Sequence, residues 1–329
     1  MRSGKRSPRA GDPRSDRTAP FLMTLDGLLL ADKGPAVTSF QVVAHLRRVL
    51  RVAKVGHGGT LDPMATGLLP ILLGSATKLT AYLQGQDKQY LATIRLGVET
   101  DTLDATGVVT RERPIPPLTV DDVRAVLARF IGDIEQVPPM YSALHAGGKR
   151  LHELARAGIA VERAPRRVRV HAFELIECAL PRLRARVACG SGTYVRSLAA
   201  DVGEALGCGA HVEALARTRV GALRVEDAVP WAVIQEGNAS VLAAGVGPPD
   251  RAVTHLPVVD LSPDASRRLA HGQAVALPEL GAVDAPAMPT PCRVYSAGSF
   301  LGIGELSSQG LRSLRLVYAD RSQPRPVSS

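Results

Sequence analysis

Cysteine is scarce in this chain, and the four present, Cys178, Cys189, Cys208 and Cys292, form no C-x-x-C pair. That spacing excludes a legible zinc knuckle or dithiol redox motif and leaves reduced, buried thiols as the ordinary reading. No apolar run approaches the roughly 20 residues of a membrane span. The N-terminus has no apolar signal core. Its arginines imitate a transit peptide, but Asp12, Asp16, Pro8, Pro13 and Pro20 argue against an amphipathic helix there. The cytoplasm is the expected location. Phosphate-binding loops are missing too. Gly190-Ser191-Gly192 has Val195 where a dinucleotide fingerprint needs its third glycine, and Gly74-Ser75-Ala76-Thr77-Lys78 has the wrong spacing for a P-loop. No internal repeat is visible.

What is present begins with size and charge. A chain of 329 residues, 45% of them hydrophobic, can bury a full core, and its length favours two domains. Lys and Arg number 40 against 31 Asp and Glu, a net charge of +9. Six basic and two acidic residues lie between Met1 and Pro20, so four net positive charges sit in that tail and five on the rest. A basic body favours polyanionic partners, because bound phosphates release counterions. The tail is rich in Arg, Ser, Pro and Gly and is expected to be disordered, with order beginning at Phe21.

Thr38 with Gln41 makes a capping box for a helix whose expected apolar face is Phe40, Val43, Leu46 and Leu50. Thr119 with Asp122 opens another, with Val123, Val126, Leu127, Phe130 and Ile131 as its stripe and Gly132 as its stop. A short helix is expected from Leu151 to Ala157, and a longer one from about Tyr194 to Leu206, stopped by Gly207. A short buried strand is expected at Leu28–Leu30, and period-two alternation marks strands at Tyr90, Ala92, Ile94 and Leu96, from Val168 towards Leu175, and at Leu183, Ala185 and Val187. Paired strands with helices between them predict an α+β domain on a largely antiparallel sheet. Gly245 to Pro249 resembles a linker. Beyond it, short strands at Val294-Tyr295, Phe300–Gly304 and Leu314–Tyr318 predict a small β-rich domain, with a surface loop from Pro278 to Pro291. The expected division is a tail at 1–20, a main domain at 21–245, a small domain at 250–321 and a second disordered tail at 322–329.

The most informative segment is Gly56 to Gly67, G-H-G-G-T-L-D-P-M-A-T-G. Pro63 biases Asp62 towards an extended backbone, so the segment presents one carboxylate rigidly on a glycine-rich loop. Asp-Pro beside glycines is also ordinary turn chemistry. Taken singly, Tyr90 is equally a core tyrosine, His57 a structural histidine and Arg196 a surface arginine.

The whole string resembles the signature of the TruB-type pseudouridine synthases, and the resemblance runs in register from about Leu28 to Asp227. Asp32-Lys33-Gly34-Pro35 is similar to the family's D-K-P, with Gly34 inserted. Asp87-Lys88-Gln89-Tyr90 fits its K-x-Y, and Gly97 to Gly107 its Thr/Asp-rich turn. Pro138 to Ala143 with Gly148 to Leu151 fits another block. Gly190 to Leu198 resembles G-T-Y-I-R-S, and Leu215-Ala216-Arg217-Thr218 with Gly221 resembles L-x-R-T-x-x-G. Several short blocks in order are far more specific than one motif.

The resemblance implies a pseudouridine synthase fold, a curved mixed and largely antiparallel sheet with flanking helices, plus a C-terminal PUA-like domain. It implies conversion of uridine 55 in the tRNA T-loop, with the base flipped out. Asp62 is then the nucleophile, Arg196 its partner and Tyr90 the ring on which the uracil stacks. His57, Lys33, Tyr194 and Leu215 are expected against the substrate. No cofactor or metal is implied, because the isomer contains the same atoms as the substrate. The expected partner is the T-arm of tRNA, with the protein a monomer free of obligatory protein partners. Two rivals stand beside this reading: a guide-RNA-dependent relative, and an RNA-binding module that only remodels tRNA.

Overall fold

A computed structural model describes residues 25–142, 145–146, 149–150, 161–281 and 286–317. The expected tails at 1–20 and 322–329, the start of order at Phe21, the helix Leu151–Ala157 and residue Tyr318 lie outside these. The main sheet is built from β1 (Gly27–Lys33), β2 (Val55–His57), β3 (Thr66–Leu73), β4 (Lys88–Leu96), β5 (Gly132–Gln136), β6 (Arg166–Ala179), β7 (Arg182–Cys189), β8 (Ala210–Val220) and β9 (Val246–Gly247). Its spatial order is β9-β1-β3-β8-β4-β7-β6-β5, with β2 beside β3 and the pair Leu223–Arg224 beside β8. All pairs are antiparallel except β3 with β8. The expected linker is thus partly sheet, since Val246 and Gly247 pair with Leu29 and Leu28.

Three helices cover one face: α1 (Ser39–Leu50), α2 (Val120–Ala128) and α3 (Val195–Ala205). Both expected capping boxes form, at Thr38/Gln41 and Thr119/Asp122. One expectation fails on α1. Val42, Val43, Leu46 and Leu50 are buried, whereas Phe40 is 72% exposed. At 100° per residue Phe40 shares a face with Val43, but at the first turn that face has already left the core. Similarly, α2 buries Val123 and Leu127, while Ile131 lies past the helix and is exposed.

The apolar runs of β1 and β3 have a simple cause: these strands are buried on both faces. Leu29, Ala31, Leu69 and Ile71 join the helix-covered core with Tyr90, Ala92 and Ile94. Leu28, Leu30, Leu68 and Leu72 face the other way and pack with Phe300, Ile303 and Val317. Each such fully buried leucine contributes about 1.5–3 kcal/mol relative to exposure. That second layer belongs to a four-stranded C-terminal sheet in the order β10 (Val258–Leu261), β11 (Thr290–Ser296), β12 (Ser299–Ser307) and β13 (Gly310–Leu316). The chain is therefore α+β with a small β-rich C-terminal unit seated on the back of the main sheet. Among the described residues, no helix is long and apolar enough to cross a membrane.

Candidate active site

The loop between β2 and β3 carries Asp62, and side chains from three other elements hold it by its backbone. Ser39, at the start of α1, donates from Oγ to the Leu61 carbonyl at 3.1 Å and accepts from the Leu61 N–H at 2.9 Å. Lys33, at the end of β1, donates from Nζ to the carbonyls of Pro63 (3.2 Å), Val37 (2.7 Å) and Gly34 (2.9 Å). Arg217 of β8 donates from Nη2 to Gly59 O (3.0 Å), from Nη1 to Thr60 O (3.3 Å) and from Nε to Leu68 O (2.8 Å). The Ala65 N–H donates to the Asp62 carbonyl at 3.1 Å. Carbonyls 59 to 63 are all engaged, so the loop has little freedom to sag. An unmade hydrogen bond at such a buried site costs about 1–3 kcal/mol.

Two glycines make this packing possible. A Cβ on Gly67 would sit 2.3 Å from the Arg217 carbonyl oxygen, and its φ of +95° suits glycine. Gly34, the insertion in D-K-G-P, lies against Trp231, whose ring would be 2.3 Å from a Cβ there.

Arg196 lies on the first turn of α3 and is 4% exposed. Its Nε meets Asp62 Oδ2 at 2.9 Å, and its Nη1 lies 3.6 Å from Asp104 Oδ2. The remaining donors go to the carbonyls of Thr102 (Nη1, 2.9 Å) and Tyr141 (Nη2, 2.8 Å). The start of α3 is itself anchored. Gln136 accepts from the Tyr194 N–H at 2.8 Å and donates to the Tyr194 carbonyl at 3.1 Å. Burial pushes the Asp62 carboxyl above its ordinary range. Arg196 pulls it back, and the nearby Asp104 charge adds to the rise. The Asp62 side chain keeps 34% of its surface open, so a half-buried, oriented carboxylate stays accessible.

Tyr90 lies on β4 in register with Arg217, nearly buried at the edge of the core. Burial raises its phenol pKa, with Arg217 opposing, so it stays protonated near neutrality. Leu215 lies two residues before Arg217 on β8, hence on the same face, paired with Ala92. His57 ends β2, and its Nδ1 accepts weakly from the Gly59 N–H at 3.4 Å. Burial and Arg217 lower its pKa, which keeps the imidazole neutral. Tyr194 caps α3, with its phenol pKa raised by burial and bonded to Ser142. Lys33 is fully buried, with its Nζ committed to the three carbonyls, so here it braces the loop instead of facing solvent. Burial brings its ammonium down to about 8. A hollow of about 200 Å³ adjoins Leu215, with Met64, Thr66, Leu91 and Arg184 in its wall. Asp62, Tyr90 and Arg196 do not line it, so the hollow and the polar cluster are separate features.

Asp104, Arg217 and Ser39 were not among the expected site residues. All three were within reach of the sequence: Asp104 in the Gly97–Gly107 turn, Arg217 in the block with Leu215, and Ser39 beside the Thr38 cap. What sequence lacks is the pairing of β8 with both β3 and β4, which carries Arg217 under the loop.

Comparisons with known proteins point one way. Residues 47–195 match a model described as the N-terminal domain of TruB family pseudouridylate synthases. Residues 196–254 match a tRNA pseudouridylate synthase B C-terminal domain, and 257–317 a pseudouridine synthase II TruB C-terminal model. The protein of Aromatoleum aromaticum named tRNA pseudouridine synthase B is 47% identical over 89% of this chain and 93% of its own. Its namesake in Chromohalobacter salexigens is 44% identical over 87% and 92%. Among solved structures, a chain of a Cbf5-Nop10-Gar1 complex superposes with a TM-score of 0.70 at 26% identity, covering 89% of this chain and 85% of that one.

Proposed function

The chain belongs to the TruB family of pseudouridylate synthases, and from that premise we propose that it isomerises uridine 55 in the T-loop of tRNA, with Asp62 as the attacking carboxylate. The observation that carries the proposal is the Asp62–Arg196 pair at 2.9 Å on a loop whose carbonyls are held from 59 to 63. A glycosidic isomerisation breaks N1–C1′, turns the base, joins C5 to C1′, and moves one proton from C5 while N1 takes up another. Atoms and electrons balance without an oxidant, reductant or triphosphate. Asp62 acts by covalent addition or by taking a ribose proton; either role needs it ionised, and Arg196 supplies a permanent charge that favours that form. The uracil, extruded from the loop because a stacked base is out of reach, lies against Tyr90 and Leu215. His57 and Tyr194 flank it, and Lys33 contributes by bracing the Asp62 loop.

We assign catalysis to residues 21–245 and RNA contact to a PUA-like unit at 250–321. The chain acts on the tRNA T-arm as a monomer in the cytoplasm, without a guide RNA or obligatory protein partner. Relatives named as tRNA enzymes stand at 44–47% identity, against 26% for the chain solved within a Cbf5-Nop10-Gar1 complex.

Unmodified tRNA carrying tritium at uridine C5 should release one tritium per pseudouridine when incubated with the protein alone. Asp62→Asn should abolish release and still bind tRNA, because affinity comes mainly from distributed phosphate and shape contacts. Binding by the wild type without release would leave only an RNA-binding module. A requirement for an added RNA would make the protein guide-dependent.

A further inference from the structure

Phe40 is the one aromatic among the strongly exposed large hydrophobic residues of the described structure, at 72%. Aromatics make up only 4% of the chain, with five phenylalanines in all. Phe173 and Phe300, by contrast, are buried. An exposed phenylalanine on an otherwise ordinary amphipathic helix is a local inconsistency, and such inconsistencies concentrate at functional surfaces.

The surroundings of Phe40 are rigid. Its neighbour Ser39 is bonded through Oγ to both the N–H and the carbonyl of Leu61, the residue before Asp62. Thr38 and Gln41 close the capping box around it, with Thr38 N–H to Gln41 Oε1 at 2.8 Å and Gln41 N–H to Thr38 Oγ1 at 3.1 Å. Lys33 staples the preceding turn, through Gly34 O and Val37 O, to Pro63 O on the far side of Asp62. The backbone that carries Phe40 is therefore fixed, and it belongs to the same braced lip as the Asp62 loop. Pro35, Ala36, Thr38, Gln41, Thr60 and Pro63 complete the exposed part of that lip.

Apart from Asp62 itself, the lip is uncharged. From Gly34 to Leu46 there is no Asp, Glu, Lys or Arg, and from Val55 to Thr77 the only one is Asp62. A surface without cations gains nothing from phosphates by counterion release. An open aromatic face gains from a nucleobase whatever its identity, by about 1–3 kcal/mol per stacked base.

Building on the pseudouridine synthase reading, we propose that Phe40 is an RNA-contact residue: its ring stacks on an unpaired base of the substrate loop next to the nucleotide held at Asp62. It is a positioning contact for the loop and takes no part in the bond changes.

The test uses the full-length chain and an unmodified tRNA transcript. Phe40→Ala should raise the Kd about tenfold, within the five- to 150-fold that 1–3 kcal/mol implies. Phe40→Leu, apolar but without a π face, should be nearly as weak, and Phe40→Trp should bind as well as the wild type. The slope of log Kd against log salt should not change, because no phosphate contact is lost. Thermal unfolding should be unaltered, since the side chain is already in water. Wild-type affinity in both Ala and Leu variants would overturn the proposal, as would full affinity in Leu with loss in Ala, which would make the contact apolar and not stacked. A change in salt slope would equally overturn it. If the wild type bound tRNA but made no pseudouridine, the family reaction would fall while the Phe40 contact could still be measured by Kd.

Discussion

Two loops bring an aspartate to Arg196, and they are held in opposite ways. Asp104 sits in a turn whose own residues hydrogen-bond its carboxylate. Its Oδ1 accepts from Thr102 Oγ1 at 2.9 Å, from Thr106 N–H at 2.9 Å and from Thr106 Oγ1 at 2.6 Å, and its carbonyl accepts from Thr100 Oγ1 at 2.7 Å. These hydrogen-bond partners lie within four residues, while Arg196 and the backbone of Val212, which bonds to Leu103 and Ala105, tie the turn to the rest of the fold. The Asp62 loop depends instead on Lys33, Ser39 and Arg217, which reach it across 30, 22 and about 158 positions of sequence. The Asp104 side chain is 6% exposed and heavily hydrogen-bonded; that of Asp62 is 34% exposed with Arg196 as its ion-pair partner. One carboxylate is spent on structure and holds the arginine, while the other retains capacity for a substrate. Hydrogen bonds within its own turn orient the first carboxylate, and side chains distant in sequence hold the loop of the second.

Charge-neutral substitutions break this comparison most directly. Asp62→Asn should remove turnover altogether. Asp104→Asn should leave a reduced but measurable rate, about 10²-fold down, because Arg196 loses a neighbour and a misplacement of about 1 Å can cost that much. Both are read in a single-turnover pseudouridine assay; equal and complete loss would put Asp104 in the chemistry itself.

The pH profile sharpens the same contrast. In the proposed mechanism Asp62 acts as the ionised carboxylate, and burial holds its pKa above the ordinary 3.8. Activity should therefore fall as pH drops through a value above the normal carboxylate range. Asp104 contributes to that rise by like-charge repulsion. In Asp104→Asn the acidic limb of kcat/KM should move to lower pH, and a limb that stayed fixed would show that Asp104 does not act on Asp62 electrostatically.

Arg217 tests the remote side. Arg217→Lys keeps the charge but loses the planar fork that serves Gly59, Thr60 and Leu68 at once. Turnover should fall about tenfold, and hydrogen exchange should speed up at the amides from Gly58 to Ala65 more than in β4. A uniform drop in protection with no preferential loss at the loop would make Arg217 a core residue only.

The same division governs what the sequence makes legible. Capping boxes at Thr38 and Thr119, the alternation of Tyr90 to Leu96 and the Gly56–Gly67 string are local patterns, and local physics sets each of them. Phe40 departs from its expected burial because periodicity gives a face but not where the core ends. Val246 and Gly247 pair with β1 through a tertiary contact that their composition does not encode. Arg196 and Asp62 could be paired only through resemblance, since 134 positions separate them and no periodicity spans that interval. Arg217 belongs to a local motif, yet its place under the loop depends on register with two strands at once. Side chains that serve local backbone announce themselves; those that serve distant backbone do not.

Ser39 offers the smallest effect and the finest test of how the loop is braced. Its hydroxyl both donates to and accepts from Leu61, in a buried position with no room for bulk water. Ser39→Ala removes both bonds without changing the helix cap, which belongs to Thr38. Two lost hydrogen bonds of about 1 kcal/mol each, partly recovered as the backbone settles, should lower Tm by about 2–4 °C per kcal/mol for a unit of this size. The rate should drop only about threefold, because Lys33 and Arg217 still hold Pro63, Thr60 and Gly59. Combining Ser39→Ala with Arg217→Lys separates two models. If the contacts brace one loop cooperatively, the double variant should lose more activity than the product of the single losses, as residues sharing one element are not additive. A purely multiplicative loss would mean that each side chain holds its own carbonyl and nothing more.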